Sequence, residues 1–241
     1  MKVFVISLQR SPERREYIKK QLDQLNIDFE FFDAVDGRAE PPHKLFENYN
    51  YAKRLWLTSG RMPSKGELGC YGSHYLLWQM CVELNTPLLI IEDDSEVQSI
   101  IQDLYHVIER EVLKYGFLRL EPKTNKCTLY LKEKNDGYSI HFMSNNFGGT
   151  RAYAIAPMAA KKLLAHSGRW CMPVDNYIGS IYLHNMPSYL LTPCIVENPE
   201  EFGTTIQLGE ETKAKWYRKP TRELYSLYRK LILRIYNRKY Q

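Results

Sequence analysis

A chain of 241 residues, 44% hydrophobic and 25% charged, is long enough for one substantial domain, or a domain with a tail, and excludes the disordered and fibrous classes. Its five cysteines (Cys70, Cys81, Cys127, Cys171, Cys194) include no CxxC pair, which argues against a disulfide framework or a thiolate metal site and fits a reducing cytosol. The net charge of +5 is uneven: residues 213–241 hold ten Lys/Arg against Glu223 alone, a net +9, leaving −4 on the other 212 residues.

The apolar run Val3–Ile6 is too short for a signal-peptide core, and no other run approaches a membrane span, so a cytoplasmic protein is expected. Val3–Ile6 reads instead as a buried first strand. Ser11-Pro12-Glu13 then starts a helix, with a Ser cap, Pro at the first position and an acid in the first turn. Ile18, Leu22 and Leu25 continue it at helical spacing, and Phe29–Phe32 gives a second strand ending in Asp33-Ala34-Val35-Asp36-Gly37. A strand–helix–strand opening predicts a parallel α/β sheet whose strand ends lie side by side, the edge where such sheets bind ligands. There Asp36 suits a ribose hydroxyl or a base N–H, and Arg10 or Arg14 a phosphate. An ordinary turn at Asp36-Gly37 is the plain alternative.

Residues 39–62 read as a loop or small helices. Ser64-Lys65-Gly66-Glu67 has capping-box spacing and predicts a helix to about Leu84. Gly66, Gly69 and Gly72 lie on nearly one face, so either a ligand or a packed segment approaches the backbone there. His74, one turn on, is either a structural histidine or a catalyst.

Pro87 precedes Leu88-Leu89-Ile90-Ile91-Glu92-Asp93-Asp94, a run suited to a strand covered on both faces that ends in three adjacent acids. Like charges this close are unfavourable unless a cation or donors compensate. Strand alternation would put Glu92 and Asp94 on one side, as a pair for a hard metal ion, and Asp93 on the other. A solvated acidic turn is the competing reading.

A helix is predicted over 100–113, and strands over 117–120, 127–131, 138–142 and 151–156, the last preceded by the polar loop Asn145–Thr150. A helix from Pro157 stops at Gly168, Asp175 begins a short helix, and late strands fall at 189–192 and 195–196. The tail sets Leu224, Leu227, Tyr228, Leu231 and Ile235 on one stripe among basic residues. Such a helix suits an anionic bilayer surface; docking of the stripe on the body and nucleic-acid binding are the alternatives, the last without any recognisable module. The expected division is a domain over 1–212 and a tail over 213–241.

Four segments in order resemble glycosyltransferase family 25, the bacterial lipooligosaccharide galactosyltransferase group. They are Val5–Arg15, Phe32–Gly37, Gly66–His74 and Ile91–Asp94, extended by Arg151–Ile155 and Pro173–Asp175. The resemblance implies a GT-A-like, Rossmann-type, mostly parallel sheet flanked by helices, a UDP-sugar donor (usually UDP-galactose), inversion at the anomeric carbon, and a lipooligosaccharide acceptor at the inner face of the inner membrane. Expected donor contacts are Ser7, Leu8, Arg10, Arg14, Asp36, Gly37, Gly66, Ser73, Asp93 and Thr150. Glu92 and Asp94 are the expected ligands of Mn²⁺ or Mg²⁺. Asp175 is the first candidate base, with Glu67 and His74 behind it. Glu92-Asp93-Asp94 departs from the Asp-x-Asp of many GT-A enzymes, which leaves open which carboxylates meet a metal. Two other classes remain: a metal-dependent phosphotransferase or phosphatase, and a non-catalytic sugar-nucleotide-binding module.

Overall fold

Alternation along the first strand organises the molecule. In β1 (Lys2–Ser7), Val3 and Val5 join one buried cluster and Phe4 and Ile6 the other, so both faces of the strand are covered. The structure is a computed structural model that describes residues 1–124, 126–197 and 214–241. β1 is followed by α1 (Pro12–Gln24) and β2 (Glu30–Asp33), the expected opening, and β1 pairs with β2 in parallel. Ser11 holds the cap position of α1, but its side chain makes no cap hydrogen bond. A 3₁₀ turn (Lys44–Asn48) and α2 (Tyr51–Trp56) fill the irregular stretch.

Next comes α3 (Lys65–Leu84), capped by Ser64, whose hydroxyl accepts from the Glu67 N–H at 3.0 Å. The return half of the capping box is absent, because the Glu67 carboxylate turns to Arg54 and Tyr49. Asn85 ends the helix in the left-handed conformation, and β3 (Leu88–Glu92) follows, parallel to β1. Leu88 to Ile91 are wholly buried, Leu88 and Ile90 among residues of α3 and Leu89 and Ile91 among residues of α1.

The remaining elements are β4 (Glu96–Val97), α4 (Ile101–Tyr115), β5 (Phe117–Arg119), β6 (Leu129–Asn135), β7 (Tyr138–Met143), β8 (Ala152–Ile155), α5 (Pro157–His166), α6 (Val174–Ile178), α7 (Ile181–His184), β9 (Tyr189–Thr192), β10 (Val196–Glu197) and α8 (Lys219–Asn237). The strand expected over 127–131 begins two residues later and continues to Asn135, in a hairpin with β7. Among the described residues the main sheet has eight strands in the order β2-β1-β3-β8-β5-β9-β7-β6. It is parallel through β2-β1-β3 and again at β5-β9; β8 enters antiparallel to β3, and β6 and β7 extend the far side. The segment expected as a strand at 195–196 pairs instead with β4, outside this sheet.

The reversed direction of β8 has a consequence. The carboxyl ends of β1, β2 and β3 and the amino end of β8 meet at one edge, because Ile91 lies opposite Ala152. The loop 148–151 is thereby delivered beside the three acids. The boundary expected between 212 and 213 lies outside the described residues. No described helix is long and apolar enough to cross a membrane.

Candidate active site

At that sheet edge lies a cavity of about 650 Å³, within the range of small-molecule sites. It is lined by every residue expected at the site: Ser7, Leu8, Arg10, Arg14, Asp36, Gly37, Gly66, Glu67, Ser73, His74, Glu92, Asp93, Asp94, Thr150 and Asp175. Arg38, Cys70, Gly148, Gly149 and Arg151 line it as well. Arg151 directly precedes a recognised strand, but residue type alone gave no reason to aim it at the acids.

The acidic triplet does not alternate as a strand would. β3 ends at Glu92, and Asp93 and Asp94 occupy a turn, so all three carboxylates face one cavity. Asp93 accepts from the Ser7 hydroxyl at 2.6 Å and pairs with Arg14 at 3.4 Å. Asp94 lies between Arg14 and Arg151, each 3.7 Å away, and its Oδ1 is buried without a hydrogen bond. Burial raises the pKa of Asp93 despite its donors. Burial and then the charge of Glu92 push Asp94 up to about 6, against the opposing pull of Arg151 and Arg14.

Glu92 accepts from the Thr150 hydroxyl at 2.7 Å, and His74 Nε2 stands 3.4 Å from the same oxygen. Burial opposes its charge, yet His74, Thr150 and Arg151 together hold its pKa below the ordinary value. Behind His74 lies a buried hydrogen-bonded chain. Trp78 Nε1 can only donate, and does so to the Tyr153 hydroxyl at 3.0 Å. The same hydroxyl shares a hydrogen bond of 2.8 Å with His74 Nδ1, which leaves Nε2 as the ring nitrogen on the Glu92 side. Cys70, His74 and Glu92 bring one ligand atom each within 4.8 Å of one another. His74 is wholly buried, with Glu92 on one side of its ring and Tyr153 on the other.

The loop after β2 is held by α3. Ser73, expected to touch a donor, spends its proton on the Gly69 carbonyl and accepts from the Val35 N–H, so it ties the loop to α3. A Cβ on Gly69 would stand 2.4 Å from the Val35 carbonyl oxygen, so the glycine face of α3 serves close packing of this loop. Arg10 donates to Asp36 at 2.6 Å, and that hydrogen bond holds the Asp36 pKa below the usual value against the opposing effect of burial.

Asp175 enters from α6. Its Oδ2 accepts from the Gly148 N–H at 3.0 Å and its Oδ1 from the Asn176 N–H, both backbone donors. Glu67 is instead gripped by Arg54 at 2.7 Å, while burial raises its pKa. Beneath the 148–151 loop, buried Glu121 accepts from the Arg151 N–H and packs against Gly149, where a Cβ would lie 2.6 Å from its carboxylate. No sequence signal pointed to Glu121.

The profile of the family described as "Glycosyltransferase family 25 (LPS biosynthesis protein)" matches residues 1–178. The lipooligosaccharide biosynthesis protein lic2B of Haemophilus influenzae is 30% identical over 230 residues, covering 86% of this chain and 82% of that protein. Procollagen galactosyltransferase 1-B of Xenopus laevis is 30% identical over 193 residues, 75% of this chain. "Probable inactive glycosyltransferase 25 family member 3" of Bos taurus is 30% identical over 192 residues, 73% of this chain. The chain spans only 31% of the length of each of these two animal relatives. The chain belongs to glycosyltransferase family 25.

Proposed function

We propose that this chain is an inverting, GT-A-like glycosyltransferase that moves galactose from UDP-galactose onto a sugar of a lipooligosaccharide acceptor at the inner face of the inner membrane. The observation that carries the reading is the meeting of three carboxylates, the Asp36 loop and the 148–151 loop around one cavity of nucleotide-sugar size. The name of the Haemophilus relative supports the acceptor, and that of the frog relative supports galactose.

A divalent cation, Mn²⁺ or Mg²⁺, fits the acidic edge, because Asp94 Oδ1 is a buried carboxylate oxygen with no hydrogen-bond donor. Asp94 would hold it with Glu92 or Asp93, and it would supply positive charge to the diphosphate of the donor. Asp93 has Ser7 and Arg14 as fixed partners, which favours Glu92 as the second ligand. Arg10 and Asp36, both in the cavity lining, would contact uridine and its ribose. Asp175 takes the proton of the acceptor hydroxyl while the hydroxyl oxygen forms its bond to the anomeric carbon. The bond from that carbon to the diphosphate oxygen breaks, and UDP leaves with the electron pair. Among the described residues Asp175 accepts only from backbone N–H groups, whereas Glu67 is tied to a guanidinium, and this orders the two candidates.

The test is a screen of UDP-sugars with a lipooligosaccharide acceptor, with and without Mn²⁺, read by UDP release. UDP-galactose is expected to give UDP only when acceptor is present. Phosphate release from simple phosphoesters, with indifference to UDP-sugars, would favour the phosphatase class. Asp94→Asn is expected to abolish transfer with the folded state retained. Normal turnover in that variant would refute its metal role.

A further inference from the structure

α8 docks on the body with one face and leaves the other uncovered, and the uncovered face is the apolar one. Thr221 donates to the Trp56 carbonyl at 2.7 Å, Arg222 to the Thr58 carbonyl at 3.2 Å and Asn237 to the Ser144 carbonyl at 2.6 Å. Between these anchors Arg229 lies over the Phe147 ring at 5.9 Å, and just beyond the helix Tyr240 stacks on Phe142. Positions 222, 229 and 237 thus face the protein, and 225, 226, 232, 233 and 236 are half-buried beside them. Leu224, Leu227, Tyr228, Leu231 and Ile235 fall on the opposite side and are 51–71% exposed. The stripe expected either to dock or to meet a bilayer does not dock.

We infer that this outward face of α8, with Trp216 just ahead of it, is a binding surface for an anionic lipid bilayer. Trp216 is 84% exposed and Lys219, Lys230, Arg234 and Arg238 are exposed around the stripe. Residues 214–241 contain nine Lys/Arg and one acid, Glu223. An apolar stripe bordered by basic residues, with aromatic rings at the edge, matches the boundary between acyl chains and anionic headgroups. Charge decides between occupants. A second copy would bring this basic face against itself, and a nucleic acid would leave five apolar side chains without a partner. The inner face of the same helix rests on Phe147, the neighbour of Gly148 whose N–H holds Asp175. Bilayer contact therefore places the Asp175 side of the cavity near the lipid surface. That orientation rests on the proposed transferase reading, whereas the lipid contact does not.

The test is sedimentation of the full chain with vesicles of phosphatidylcholine alone or mixed with phosphatidylglycerol, with transfer to a soluble acceptor sugar measured separately. Binding is expected to the anionic vesicles only and to weaken with added salt. Lys230→Glu/Arg234→Glu should lower affinity at least roughly thirty-fold, at about fivefold for each basic residue lost. Leu227→Glu/Leu231→Glu should abolish it, with the circular dichroism of the wild type, because both side chains point outward. Wild-type chain that fails to bind the anionic vesicles overturns the inference, as does undiminished binding by the leucine variant. So does a wild-type dimer in solution that the leucine variant disperses. Vesicle binding without UDP release would leave the lipid surface standing and sink the transferase reading alone.

Discussion

Trp78, Tyr153 and His74 form a buried polar chain behind Glu92. The indole donates to the phenol, the phenol shares a hydrogen bond with His74 Nδ1, and His74 Nε2 stands 3.4 Å from Glu92. Every link is buried, so breaking one strands its neighbours without water to replace the lost partner. Tyr153→Phe removes one oxygen and leaves Trp78 Nε1 and His74 Nδ1 both unpaired. The expected loss is about 1–3 kcal/mol for each orphaned group, measured by urea unfolding. Unchanged stability would show that the relay is not formed. The acidic triplet itself was plain in the sequence, as was the need for compensation. The identity of the compensating groups was not, since Arg151 and Thr150 lie more than fifty positions away in the chain.

At the scale of elements, α3 carries the site's most specific packing demand. Replacing a helical glycine by alanine ordinarily stabilises by about 1 kcal/mol. At Gly69 the sign is expected to reverse, because the new methyl would sit 2.4 Å from the Val35 carbonyl oxygen and 2.9 Å from the Gly37 nitrogen. Neither backbone atom can rotate away. Gly69→Ala should therefore lower the melting temperature and raise the KM for the donor by displacing the Asp36 loop. A more stable protein with unchanged KM would show that the loop yields freely. Capping shows the same division between local and distant causes. Ser64 caps α3 as its sequence promised, but Glu67 abandons the capping box for Arg54, a partner on another helix.

Across the whole molecule, acid stability should depend on His184, which ends α7 beneath α8. Its Nε2 donates to the Tyr177 carbonyl at 3.0 Å and its Nδ1 accepts from the Met186 N–H at 3.1 Å, so a second ring proton has no acceptor. Burial first, and the nearby charges of His166 and Lys162 after it, push its pKa down to about 4, against an ordinary value of 6.5. A depressed value means the unfolded chain takes the proton first. The stability contributed by neutral His184 is thus fully present above pH 6.5 and is lost as pH falls toward 4. Urea midpoints should fall over that interval in the wild type and fall less in His184→Gln. Equal slopes would remove His184 from the account.

What the sequence by itself determined is whatever depends on near neighbours along the chain. Helix starts at Pro12 and Ser64, the buried run of β3, the strand–helix–strand opening and the basic stripe of the tail all follow from spacing and side-chain chemistry. Ser7, Asp36 and the three acids share one cavity because they sit at or just past strand ends, and strand ends of a parallel α/β opening converge. The tertiary structure alone decided the antiparallel entry of β8, which brings the 148–151 loop to that edge, and the exile of β10 to a partner outside the main sheet. It alone decided which side of α8 faces the body. Periodicity reports that a helix has an apolar side, not which surface will meet it. Here hydrogen bonds from Thr221, Arg222 and Asn237 to backbone carbonyls, together with ring contacts, take the inner face, and Leu224, Leu227 and Leu231 are left outside.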